Sequence, residues 1–218
     1  MVQVVAPPLR VAYIDNGIEG LAKAFQNREE PFYTPLTVTR DFNPDLTDTD
    51  VLVVPNGSDH IAMAKIADRV ADFVAAGGAL FCFDGWFTDW VPGYRWVADP
   101  DTPTAEVRYR LGEDPAGLFD QINLDDFIFM EGISGWWACG SIQATHNQPM
   151  PTLLHDSWRR AVAVWDTQTT PGLLFLTASG PLGEYGLDQG PGSLARLYHN
   201  ALDAVRRRLA AAACRSEA

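Results

Sequence analysis

Apolar residues fall in short runs separated by turn signals, and those runs predict the elements. Leu9 to Ile14 is an apolar run that stops at Asp15-Asn16-Gly17, a buried strand entering a loop. Glu19 to Gln26 places Leu21, Ala22 and Phe25 on one side and predicts a short helix. Pro35 to Phe42 alternates Leu36 and Val38 with polar residues, the pattern of a second strand. Asp50-Val51-Leu52-Val53-Val54-Pro55 is a continuous apolar core, as expected of a central parallel strand buried on both faces.

The clearest helix spans 60–76. Ile61, Ala64, Ile66, Val70, Phe73 and Val74 recur at helical spacing, with Lys65, Asp68, Arg69 and Asp72 mostly between them. Ser58 or Asp59 can cap its start, and Gly77-Gly78 can end it in the left-handed conformation. Ala79 to Phe83 is then a further buried strand that breaks at Asp84-Gly85. Strand, helix and strand at this pitch predict a right-handed parallel crossover.

The middle has no sustained period. Trp86 to Pro103 is rich in aromatics, Pro and Asp; Glu106 to Leu111 alternates like a strand; Asp114 to Phe129 suits a short helix followed by a strand. Gly132 to Gly140 reads as glycine- and tryptophan-rich loop or strand. Regularity returns with an antiparallel hairpin, 160–165 and 173–177, and a terminal helix from Ser193 to Leu209 with a frayed tail. His199 falls among the core-facing residues of that helix and is expected to be structural.

This order of elements resembles the class I glutamine amidotransferase-like fold. The resemblance rests on strands ending in Asp15-Asn16-Gly17 and Val53-Val54-Pro55-Asn56-Gly57, a helix closed by Gly-Gly, and a strand ending in a sharp turn. Ala161-Val-Ala-Val-Trp165, Gly172-Leu-Leu-Phe-Leu-Thr-Ala-Ser-Gly180 and Tyr198-His-Asn-Ala-Leu202 are similar to the closing hairpin and helix of its ThuA-like (trehalose utilisation) branch. The expected fold is therefore α/β: one domain over 1–218, a flavodoxin-like three-layer sandwich with a mostly parallel sheet and an antiparallel extension. An aromatic-rich irregular insertion occupies about 86–150.

The departures from that family bear on function. Its nucleophilic cysteine sits at an elbow whose position here holds Asp84, with Cys82 two residues earlier on the same face of the strand. Its Pro-Gly-Gly oxyanion loop reads Pro55-Asn56-Gly57, and Gly183-Glu184-Tyr185 lacks the late histidine. A thiolate nucleophile needs an exposing elbow and a neighbouring base, so glutaminase chemistry is not expected.

Charge narrows the partners. Sixteen Lys and Arg stand against 28 Asp and Glu, a formal net charge of −12. Sequence-independent nucleic-acid binding and anionic membrane surfaces both need a basic footprint, so neither partner is expected. No apolar run reaches the ~20 residues that span a bilayer. Met1 to Arg10 lacks the basic and long apolar regions of a signal peptide, and the three cysteines give no disulfide framework, so a cytoplasmic protein is expected.

In an open parallel sheet, ligands sit beyond the carboxyl ends of the strands. Asp15 and Asn16, then Asn56, Gly57 and Ser58, then Asp84 and Trp86 would converge there. Asp84 and Asp15 offer carboxylates for a sugar hydroxyl, for acid/base work or for a metal. Helix amides from Ser58 onward suit an anionic group. His60, Glu131 and His146 are candidates for a second titratable group. Trp86 and Trp136 supply flat faces of the kind that stack on sugars, and the aromatic loop after Asp84 can close over the crevice. Each has a bland counterpart: Asp15 and Asp59 as turn formers or caps, Trp86 and Trp90 as a hydrophobic cluster, Cys139 as a small buried residue rather than a nucleophile beside His146. The histidines lack zinc spacing, and no cofactor is expected. The expected ligand is a small carbohydrate-like molecule. An alternative is a non-catalytic binding or protein-interaction module, and a homodimer through 86–137 is expected from the aromatic segment.

Overall fold

In a computed structural model of the chain, each buried strand of the first half divides its residues by parity between two cores. The structure describes residues 8–17, 25, 31–83, 85–99, 101, 107–130, 133–134, 140–178, 182–183 and 192–216. Strands β1 (Arg10–Asp15), β2 (Phe32–Thr37), β3 (Val51–Val54) and β4 (Ala79–Phe83) are parallel neighbours. Val11, Tyr13, Val51, Val53, Phe81 and Phe83 enter one core. Ala12, Ile14, Leu52, Val54, Leu80 and Cys82 enter the other. A strand covered on both faces has no polar side to show, which is why these runs read as unbroken apolar sequence.

Two helices, α1 (His60–Lys65) and α2 (Ala67–Ala75), cover the second core. The helix expected over 60–76 is therefore divided, at Ile66, whose backbone leaves the helical region (φ −109, ψ 18). Neither Pro nor Gly marks the break, and Met63, Ile66, Val70, Phe73 and Val74 keep helical spacing across it. At the other end Gly78 N–H donates to Phe73 O and Gly77 N–H to Val74 O. With Gly77 at φ +102 this is a Schellman cap, the ending that the Gly-Gly pair predicts.

The remaining strands are β5 (Tyr94–Ala98), β6 (Arg110–Leu111), β7 (Phe129–Met130), β8 (Ile133–Ser134), β9 (Gly140–Ala144), β10 (Thr152–His155), β11 (Ala161–Asp166) and β12 (Leu173–Thr177). The main path runs β2-β1-β3-β4-β12-β11-β10-β6. β12 lies parallel to β4 but antiparallel to β11, so the sheet changes sense at the expected final hairpin. β5 and β9 pair with each other, and β9 joins β11 through Ala161 and Ile142. The segment expected to be irregular thus contributes strands to the sheet.

Helix α3 (Ser193–Ser216) buries Leu197, Tyr198, Ala201, Leu202 and Val205 against the first core, completing three layers. It continues through most of the tail expected to fray. His199 is not core-facing: its side chain is 72% exposed and pairs with Asp203 at 3.2 Å, one helical turn on. The second strand begins at Phe32 rather than Pro35; Pro35 is tolerated inside it because β2 is the edge of the sheet. Of the described residues 107–111 only the last two form a strand, and Asp114 to Phe129 holds turns and one 3-10 turn, Leu124–Phe127, followed by the start of β7 at Phe129. Of the helix expected over Glu19 to Gln26, only Phe25 is described; it stacks on Tyr13 at 4.2 Å between ring centres. Among the described residues no helix is long and apolar enough to cross a membrane.

Candidate functional site

The five parallel strands lie in the order β2-β1-β3-β4-β12, the 2-1-3-4-5 arrangement of flavodoxin-like sheets. In that arrangement the connections leave β1 and β3 toward opposite sides, opening a crevice where their carboxyl ends adjoin. The loops after these two strands are Asp15-Asn16-Gly17 and Pro55-Asn56-Gly57-Ser58. Asn16 Nδ2 donates to Gly57 O at 2.7 Å and clasps one loop to the other across the switch point. Gly57 adopts φ +79, a left-handed turn that a side chain would strain. Asn56 and Gly57 are exposed at the tip. Asp15 is half-buried, and its Oδ1 accepts the Gly17 N–H at 2.9 Å.

Ser58 and Asp59 serve the local chain. Ser58 Oγ donates to Pro55 O at 2.6 Å and closes the turn. Asp59 Oδ1 accepts from Ile61 N–H at 3.0 Å and Ala62 N–H at 2.9 Å, capping α1. Two of the amides expected to hold an anionic ligand, those of Ile61 and Ala62, are therefore occupied by the cap, on a helix of only six residues. Asp59 as a cap is the bland reading of that residue, and the geometry favours it.

His60 stands at the first position of α1 and is 8% exposed. Its Nδ1 accepts the indole N–H of Trp90 at 3.1 Å. Burial lowers its pKa below 6.5, against a smaller opposing pull from Asp59. A neutral imidazole whose Nδ1 lone pair is engaged carries its proton on Nε2. His60 consequently carries a hydrogen-bond donor on Nε2 and no free acceptor nitrogen.

The aromatic segment after β4 is fastened down at both ends. Thr88 Oγ1 donates to His60 O at 2.7 Å beside the Trp90 bond. Tyr94 OH donates to Asp166 Oδ2 at 2.7 Å, on a carboxylate that is 0% exposed. Trp86, expected as a stacking platform, is 1% exposed and packs in the core beneath α1 and α2. The segment is thus part of the packing and not a lid over the crevice. Phe87 is the exception at 75% exposure, and its ring meets the edge of His60 at 6.1 Å. The expected homodimer rested on exposed aromatics, a condition that Phe87 meets and Trp86, Trp90 and Tyr94 do not.

His146 makes its contacts with Tyr94 and Gln148. Its ring packs edge-on against Tyr94 at 5.3 Å, and Nδ1 accepts Gln148 N–H at 3.2 Å. Asp84, Glu131, Trp136 and Cys139 lie outside the described residues. Cys82 is 0% exposed within the core under α1 and α2, where a thiol is inert packing. Among the described residues no three His, Cys, Asp or Glu side chains gather as a metal-holding group. Thr88 and Asp166 escaped the sequence reading. Asp166 closing an apolar run and standing before Thr-Gln-Thr-Thr is the signal that could have marked a side-chain-bonded turn.

An open sheet in 2-1-3-4-5 order, helices on both faces and an antiparallel extension place the chain in the flavodoxin-like, amidotransferase-like class of α/β folds. Within that class its fold is ThuA-like. A ThuA-like protein from Bacteroides uniformis matches with a TM-score of 0.50 at 14% identity, over 92% of each chain. A cytoplasmic protein from Salmonella typhimurium matches with a TM-score of 0.56 at 13% identity, over 89% of this chain and 98% of its own. A cold-adapted β-galactosidase from Rahnella matches with a TM-score of 0.50 at 14% identity; this chain spans 31% of its length. No protein-family model and no curated protein matches the chain.

Proposed function

We propose that the chain binds a small polyhydroxy, carbohydrate-like molecule at the carboxyl edge of its sheet and has no glutaminase activity. The observation that carries this reading is the Asn16–Gly57 clasp, which brings the β1 and β3 loops together at the switch point. A sugar hydroxyl both donates and accepts, and the loops offer groups of both kinds. Asp15 keeps Oδ2 as an acceptor, Asn16 and Asn56 supply amides, and His60 supplies Nε2–H. Asp84, which follows β4 in sequence, adds a carboxylate in place of the amidotransferase nucleophile. One protein that shares the fold, the β-galactosidase, lends further support through the sugar chemistry in its name.

Calorimetric titration with glucose, galactose and trehalose tests the proposal. Asp84→Asn should weaken binding by about 1–3 kcal/mol while leaving the melting temperature nearly unchanged. The opposite pattern, a destabilised fold with intact affinity, would make Asp84 a structural residue and defeat the site assignment.

The exposed side chains of Phe87 and Ile61, beside His60, favour a second reading as a protein-interaction module. Light scattering separates the two where the partner is a second copy: Phe87→Ser would then dissociate a dimer and leave saccharide titrations flat.

A further inference from the structure

A second hollow lies at the opposite, amino edge of the sheet, independent of the proposed saccharide crevice. It has a volume of about 260 Å3, is floored by Trp165, Leu173 and Ala204, and is flanked by Arg207 and Arg208 of α3. Leu173 pairs with Ala79, the first residue of β4, which fixes the hollow at that edge.

The two arginines, Arg207 exposed and Arg208 half-buried, differ from the paired ones. Arg10 is paired with Asp48 and Asp50, Arg160 with Asp99 and Asp156, and Arg206 with Asp203. Arg207 and Arg208 instead donate to backbone carbonyls of two different loops. Arg207 reaches Ala116 O at 3.3 Å; Arg208 reaches Gly172 O at 3.0 Å and also Pro171 O. Each contact uses one nitrogen of a guanidinium that has five N–H donors. No described carboxylate pairs with either group, in a chain whose net charge is −12.

The acids adjacent in sequence to the lining are all engaged elsewhere. Asp114 accepts from Leu118 and Phe119 N–H, both at 2.8 Å. Asp166 accepts from Tyr94, Gln168 and Thr169. Asp203 is taken by Arg206 and His199. Among the described residues this leaves two anchored guanidinium groups without a carboxylate partner above an apolar floor, with no acidic residue in the lining. Pre-anchored arginine forks bind carboxylate and phosphate oxygens with little further loss of side-chain freedom.

We propose that this hollow binds a small organic anion, its phosphate or carboxylate head held between Arg207 and Arg208 and its apolar body set against Trp165 and Leu173. Titration of the full chain with phenyl phosphate, benzoate and inorganic phosphate at constant ionic strength tests it. Saturable binding is expected for phenyl phosphate or benzoate, and the stronger of the two identifies the head group. Arg207→Gln and Arg208→Gln should each weaken it about tenfold or more, while Lys65→Gln, an equal loss of charge outside the hollow, should change it by less than about twofold. Thr167→Asp places a carboxylate in the hollow without removing an anchor, and should abolish binding at an unchanged melting temperature. Absence of saturable binding by both organic anions would overturn the proposal, as would undiminished affinity in Thr167→Asp or in the double arginine variant. Inorganic phosphate binding as tightly as phenyl phosphate would remove the role of the apolar floor.

Discussion

Replacing Tyr94 by Phe removes one oxygen and leaves a buried carboxylate short of a donor. Asp166 ends β11 with no exposed surface and accepts from four groups: Tyr94 OH at 2.7 Å, Gln168 N–H at 2.8 Å, Thr169 N–H at 3.0 Å and Thr169 Oγ1. Burial opposes the charge on this carboxyl, yet the four donors outweigh burial and hold its pKa below 3.8. Burial, with Asp166 alongside, pushes the Tyr94 phenol far up, so it is a donor at every working pH. A hydrogen bond to a charged group contributes about 1.5–3 kcal/mol, and Phe fills the ring's place without a cavity. For a chain of this size each kcal/mol moves the melting temperature by about 2–4 °C, so Tyr94→Phe should melt roughly 3–12 °C below wild type. Scanning calorimetry and urea unfolding measure it. A pH series adds a second check. The contribution of a carboxyl with a depressed folded pKa is complete above its unfolded value and is lost as pH falls through the folded one. The gap between wild type and Tyr94→Phe should therefore hold from pH 8 to 5 and shrink in stronger acid. A loss under about 0.5 kcal/mol at pH 7 would refute the view that this bond fastens the aromatic segment to the sheet.

Asp59→Ala should cost about 1 kcal/mol by uncapping α1, read from urea unfolding. Gly78→Ala would place a methyl 2.3 Å from the buried Phe73 ring, and should cost about 1–3 kcal/mol with an unchanged unfolding slope. His60 is kept neutral with a pKa below 6.5, so its contribution to stability is complete above pH 6.5 and falls away as pH drops through the folded value. The melting temperature of wild type should decline from pH 7.5 to 5.5 more steeply than that of His60→Gln.

Much of the fold is legible because two-sided burial leaves a plain mark. Val51 to Val54 and Ala79 to Phe83 are apolar at every position because both parities meet a core. The division at Ile66 is not legible, since the apolar period that marks a helix passes through the break undisturbed. Trp86 misled for a related reason. A residue past the end of a strand is expected to leave the core, but Thr88, Trp90 and Tyr94 bond back to the protein and draw the segment inward. Those bonds join residues 28 to 72 positions apart, a separation no local pattern encodes. The strand-end loops could be anticipated from Asp15-Asn16-Gly17 and Asn56-Gly57, because turn residues closing apolar runs mark where parallel strands stop. Their pairing at the switch point depends on strand order, which appears only in the assembled sheet.

The carboxyl-edge site is tested most directly by following backbone amide resonances of the isotope-labelled chain during titration with glucose, galactose and trehalose. If the site is correctly placed, signals from residues 15–17 and 56–60 should shift saturably with at least one sugar, and Asn16→Ala should abolish the shifts. Those signals remaining still at saturating sugar, or shifts confined to residues at the amino edge of the sheet, would contradict it.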